Sequence, residues 1–182
     1  MKKIFSTVVI STAVLVFSTN AFSATTELKA TYNAAVDSAK AEYKLARAKC
    51  DTLTGNPKDV CVEEAKASRT HTEAEAKAQY KNTVGARTDA RKAIASADYD
   101  VAKAKCGALA GNEKDICLKE AKSAKIAATS DANADKKVVE ARTDARSDKH
   151  TAEYKVAIEK CDALAGAAKD TCVADAKAKF GK

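Results

Sequence analysis

The chain has no tryptophan, one proline, six glycines and nine other aromatic residues in 182 positions, and its β-branched residues are sparse. So few β-formers make a sheet improbable, and so few helix breakers leave long runs of alanine, lysine, glutamate and arginine free to stay helical. No glycine-rich phosphate loop follows an apolar run, and there is no serine elbow and no His-Glu-x-x-His helix. Cys-x-x-Cys, in which neighbouring sulfurs depress one thiol's pKa, does not occur. The two histidines, His71 and His150, stand alone, without a carboxylate and a nucleophile at a shared spacing. No catalytic residue, metal site or cofactor is expected, and enzyme activity is not.

What is present is a stretch repeated three times: a tyrosine, then two cysteines eleven positions apart with a glycine between them. The copies are Tyr43 with Cys50 and Cys61, Tyr99 with Cys106 and Cys117, and Tyr154 with Cys161 and Cys172, which uses all six cysteines. In the first copy, Tyr32, Val36, Ala39, Tyr43, Ala46, Cys50 and Leu53 recur at spacings of three and four, the stripe of one helical face. Gly55 is placed for a positive φ, and Asn56-Pro57 reads as the cap and first turn of a second helix, with Asp59 near its positive end. The stretch therefore predicts a helical hairpin whose two cysteines face each other near the bend. A disulfide needs Cα atoms about 4.4 to 6.8 Å apart, which alanine-rich helices allow, and closing so short a loop stabilises by about 3 kcal/mol. Zinc and redox-active or intermolecular pairing are the rival readings. Two sulfurs per hairpin without a nearby histidine favour the structural bond.

The repeat extends upstream. Ala30-Thr-Tyr-Asn-Ala-Ala, Ala86-Arg-Thr-Asp-Ala-Arg and Ala141-Arg-Thr-Asp-Ala-Arg each begin twenty residues before the first cysteine of a pair, giving periods of 56 and 55. The expected fold is all-α: a tandem, elongated array of about three disulfide-stapled antiparallel hairpins on long Ala/Lys-rich helices. Its parts are a signal peptide at 1–23, repeats at 24–85 and 86–140, and a shortened repeat at 141–182. Bends are expected at Gly85 and at residues 129–135, since glycine and short polar residues weaken a helix interior. The large apolar residues that would form a thin core gather near the cysteines, among them Leu45, Leu53, Val60, Leu109, Ile116, Val156 and Leu164. The arms away from the bends should fray or depend on a partner. The third hairpin should be the weakest, because Ala167 replaces the capping asparagine.

Lys2 and Lys3, the apolar run Ile4 to Phe17 and Ala21-Phe22-Ser23 have the order of a secretory signal, with Ala24 as the expected mature N-terminus. That run is short for a membrane span, and nothing after it is apolar enough to be one. Export to an oxidising compartment, the bacterial periplasm or beyond, suits six paired cysteines. Loss of Lys2 and Lys3 lowers the formal charge from +7 to +5, with both signs interleaved, the pattern of a solvated helix rather than of a specific nucleic-acid binder. Arg87 with Arg91, and Arg142 with Arg146, put two guanidinium groups one turn apart. They read either as an anion contact or as a solvated face partly neutralised by Asp89 and Asp144.

The runs Glu73-Ala-Glu-Ala-Lys-Ala-Gln-Tyr-Lys and Ala102-Lys-Ala-Lys resemble the long helical domain of the cell-envelope protein TolA and the exported Ala/Lys-rich proteobacterial proteins described as TolA-like. That resemblance implies a place at the cell envelope, with envelope proteins or anionic envelope polymers as partners. The expected function is a non-catalytic periplasmic spacer or protein-interaction module. The alternative is a stress-related binding protein, chaperone-like or cation-binding. The sequence does not fix an oligomeric state.

Overall fold

The computed structural model describes residues 21–182, with side chains from residue 25 onward. The charged start and apolar run of the expected signal lie outside the described residues. The described chain is all-helical: α1 Ala21–Cys50, α2 Gly55–Lys81, α3 Val84–Lys105, α4 Gly111–Cys161 and α5 Gly166–Phe180, with one 3-10 turn, Cys106–Ala108, between α3 and α4. Packing follows chain order, each helix lying against the next. No described helix is long and apolar enough to cross a membrane.

The three cysteine pairs are bonded as 50–61, 106–117 and 161–172, with Cα atoms 5.5, 5.7 and 5.6 Å apart. That approach decides what is buried. Only small side chains fit between backbones so close, and the buried residues are mostly alanines, such as Ala39, Ala65, Ala95 and Ala132, with Cys50, Cys106 and Cys161 fully enclosed. The leucines expected in the core are displaced outward. Leu45, Leu53, Leu109, Ile116, Val156 and Leu164 are all exposed, Leu45 by 67%.

The three bends share one conformation. In each, the amide of a leucine (Leu53, Leu109, Leu164) donates to the carbonyl of the preceding helix's cysteine at 3.0 to 3.2 Å. An extended residue then leads into the next helix, Thr54, Ala110 or Ala165, all with φ near −133°. Gly55, Gly111 and Gly166 follow with φ of +63°, +54° and +57°, the left-handed region that glycine occupies without a Cβ penalty. None of the three extended residues caps its helix through a side chain. Asn56 is therefore not the cap that its sequence position suggests, and Ala167 in its place does not weaken the third bend through capping.

The bends expected away from the cysteines are also corrected. The chain breaks at Asn82-Thr83, not at Gly85, which lies in the first turn of α3. Asn82 takes φ +45° and ψ +36°, a conformation that asparagine tolerates better than most residues, and Thr83 caps α3 by accepting the Ala86 amide at 3.1 Å. Residues 129–135 are continuous helix inside α4, which runs unbroken for 51 residues, about 75 Å at 1.5 Å per residue. Packing offsets their weak propensity: Ala132 is fully buried, and Thr129 turns its hydroxyl to the Lys125 and Ile126 carbonyls.

Candidate functional site

Each cystine bend carries an aromatic platform at a fixed distance from its sulfurs. The tyrosine seven residues before the first cysteine is half-buried, and a side chain eight residues after the second cysteine covers it. The Arg69 guanidinium lies 4.7 Å from the Tyr43 ring centre and the Lys125 ammonium 5.1 Å from that of Tyr99. In the third unit Phe180 occupies the same place and meets Tyr154 edge-on at 5.8 Å and His150 at 5.0 Å. Cation–π contacts at partly exposed sites contribute about 0.5–1 kcal/mol each, so the tyrosines act here as packing elements. Sequence reasoning placed the tyrosines on the helix seam and missed their partners, although the offset of eight was there to be counted.

The first two bends interlock. Asn56 Nδ2 donates to the Ala104 carbonyl at 2.7 Å, and a Cβ added to Gly107 would stand 2.5 Å from that same nitrogen. The first and third bends have aspartate at the position of Gly107. Asp51 pairs with Arg47 at 2.6 Å and Lys58 at 3.1 Å, and Asp162 pairs with Lys169 at 2.8 Å. Hydrogen bonds from Arg47 and then Lys58 hold the Asp51 carboxyl below its ordinary value, and Asp51 in turn raises Arg47. Glu63 raises Lys66 in the same manner. Gly107 gives up such a pair and makes room for Asn56. Further along, Glu64 pairs with Lys105 at 2.9 Å, and His71 Nε2 lies 2.8 Å from Asp98 Oδ1 between α2 and α3. His150 instead packs against Phe180, so the two histidines serve different parts of the molecule.

The four arginines considered as an anion contact fall into two environments. Arg87 donates to Asn82 Oδ1 at 2.9 Å, and Arg91 pairs with Asp135 across the α3–α4 seam, so the first pair already has partners. Its neutralising acid is Asp135, not the expected Asp89. Arg142 and Arg146 lie on an exposed stretch of α4 and make no ion pair among the described residues. An open cleft of about 640 Å³ crosses α1, α2 and α3, with Tyr32, Val36, Ala74 and Ala90 along it and Lys40, Lys77 and Lys81 among its lining. Among the described residues no group of three or more His, Cys, Asp or Glu side chains is placed to hold a metal ion, and all six cysteines are in disulfides. Comparison of the chain with protein-family models, with curated proteins and with solved structures finds no match.

Proposed function

We propose that the chain is a non-catalytic helical repeat protein of the bacterial periplasm, built as tandem antiparallel hairpins and acting as a spacer or protein-interaction module at the cell envelope. The observation that carries this reading is the repetition of one cystine-closed bend at three places on long alanine-seamed helices. Two of the bends lock together through Asn56 and Ala104, and the third stands at the other end of α4, about 75 Å away. A rigid helix with a stapled unit at each end sets a distance and presents exposed polar faces along it. Pairs such as Tyr32 stacked on Tyr80, together with Cys50 bonded to Cys61, support the antiparallel course of the first hairpin. The disulfides suit an oxidising compartment, and the order of residues at 1–23 suits export.

Cell fractionation with in vivo crosslinking tests the proposal. The expected result is a periplasmic chain that starts at Ala24, has no free thiols and crosslinks to envelope components. A cytoplasmic chain with reduced cysteines, or an exported one without an envelope partner, would reject it.

A further inference from the structure

The three disulfides close loops of equal length, each pair lying 11 residues apart, so the entropy a staple removes from the unfolded chain is the same for all three. What differs is how far the helix seam continues beyond each staple. α1 lies against α2 as far as Tyr32, which stacks on Tyr80 at 5.2 Å, eighteen residues before Cys50. α3 lies against α4 as far as Arg91, paired with Asp135, fifteen residues before Cys106. α5 ends at Phe180, eight residues after Cys172, where it meets Tyr154 and His150 of α4. At 1.5 Å per residue these seams are about 27, 22 and 12 Å long. A long seam keeps two reduced cysteines close together and so favours reclosure of their bond, which a short seam does less well. The third staple is also open to attack. A cleft of about 920 Å³ has Cys172 and the enclosed Cys161 in its wall, with Val156, Ala157 and Phe180 beside them. Among the described residues, four other clefts in the α1–α3 part of the molecule have walls without cysteine. Cys161 is fully buried and Cys172 partly exposed, so the Cys172 sulfur is the one that a thiolate reaches.

We propose that the Cys161–Cys172 bond is a reversible redox latch on α5, opened by an external dithiol that leaves 50–61 and 106–117 closed. A thiolate of the dithiol attacks the Cys172 sulfur, and the S–S bond breaks with its electron pair going to Cys161, which takes a proton from solvent. The second thiol of the dithiol, having lost its proton, attacks the mixed disulfide and releases Cys172 as a thiolate that is protonated in turn. The cystine gains two electrons and two protons, and the dithiol leaves as its own disulfide. With the bond open, α5 retains the Asp162–Lys169 pair and the Phe180 contacts. A helix of 15 residues is marginal in water without packing, so α5 detaches and frees the enclosed Cys161. The other two staples close seams that hold without them. The inference goes beyond the spacer reading and stands whether or not the chain has an envelope partner.

Equilibration of the oxidised chain with mixtures of reduced and oxidised dithiothreitol, followed by thiol alkylation and peptide mapping, reads each bond separately. The 161–172 bond should be half open at a ratio of reduced to oxidised reagent about tenfold below that of either other bond, and should reclose when the reduced reagent is removed. At that ratio α5 should lose its protection from amide exchange while α1 to α4 keep theirs. Phe180→Ala, which shortens the third seam, should lower the 161–172 midpoint further, and Tyr32→Ala should move the 50–61 midpoint toward it. In concentrated guanidinium the seams are gone and the loops are equal, so the three midpoints should coincide. Three bonds that open together in the folded chain overturn the proposal, and so does a third bond that opens last. An order that survives in guanidinium would assign the lability to local sequence and reject the seam as its cause. An α5 that stays protected while its bond is open would reject the latch.

Discussion

The segment around Asn82 and the segment around Lys137 occupy the same place in the repeat, since each precedes the Ala-Arg-Thr-Asp-Ala-Arg sequence, yet the helix breaks at the first and continues through the second. Residues 80–85 are Tyr-Lys-Asn-Thr-Val-Gly and residues 135–140 are Asp-Lys-Lys-Val-Val-Glu. The first segment contains a residue that accepts a left-handed backbone (Asn82), a capping hydroxyl (Thr83) and a glycine (Gly85). The second replaces all three with residues that have nothing to offer a break. With Tyr80 replaced by Asp135 as well, four differences between the two segments accompany the change from a part where each of α1 to α4 lies against the next to one where a single helix carries a bend to its far end. Since the cystine bends are alike in both parts, the spacing between them is set in the connecting segments and not in the staples.

The cystine bends, alike in conformation, differ in what surrounds them. The first two bends are held by more than sulfur, because Asn56, Glu64 and His71 tie α2 to α3. The third is held by its disulfide, the Asp162–Lys169 pair and the Phe180 contacts. Replacing Cys161 and Cys172 with serine should remove about 3 kcal/mol, and the loss should appear as near-complete amide exchange throughout α5. The same change at Cys50 and Cys61 should lower the denaturation midpoint while the amides of α2 and α3 stay protected. Equal protection of α5 and α2 in the two variants would show that the third unit has support beyond these contacts.

Exchanging the connecting segments tests the contrast directly. Lys137→Asn with Val138→Thr and Glu140→Gly should cost α4 about 1 kcal/mol of helix propensity and introduce a hinge. Probes at Asp115 and Glu159, about 65 Å apart on a straight helix, should then report a shorter and broader distance distribution. An unchanged distance would mean that the break at Asn82 is imposed by the α2–α3 seam and not by its own residues. Thr83→Ala alone should destabilise the compact part by about 1 kcal/mol, measured by chemical denaturation, because the Ala86 amide loses its acceptor. Val138→Ala at the equivalent place in α4 should be close to neutral.

The cystine bends were legible in the sequence because their determinants are local: a fixed cysteine spacing, a glycine at the positive-φ position and alanines at helical intervals. The core was not legible from hydrophobicity, because the 5.5 Å approach set by the disulfide excludes leucine from the seam it was expected to fill. The break between α2 and α3 was placed at Gly85 by composition, but Asn82 supplies the left-handed residue and Thr83 the cap, three and two positions earlier. Residues 129–135 look weak in isolation and are helical where α4 packs on α3, with Ala132 fully buried and Asp135 paired with Arg91. The Asn56–Gly107 interlock depends on two bends meeting in space, and a glycine in place of the aspartate of the other copies was its only trace.

That missing aspartate gives the finest test. Asp51 titrates below the ordinary 3.8 because the Arg47 hydrogen bond, and then that of Lys58, favours its ionised form. A carboxyl whose folded pKa is depressed contributes stability above its unfolded pKa, and that contribution is lost as pH falls through the lower, folded value. The first bend should therefore loosen slightly on acidification below about pH 4, with the Asp51 carboxyl carbon resonance showing a midpoint under 3.8. The second bend carries Gly107 where the first has Asp51, so this contribution is absent there, and amide exchange at Leu109 should stay flat over the interval in which exchange at Leu53, corrected for its intrinsic pH dependence, rises. Asp51→Asn should flatten the response at Leu53 and leave Leu109 unchanged. Should both bends loosen together in the wild-type chain, the Asn56 interlock transmits the change from one to the other, and Asn56→Ala should uncouple them.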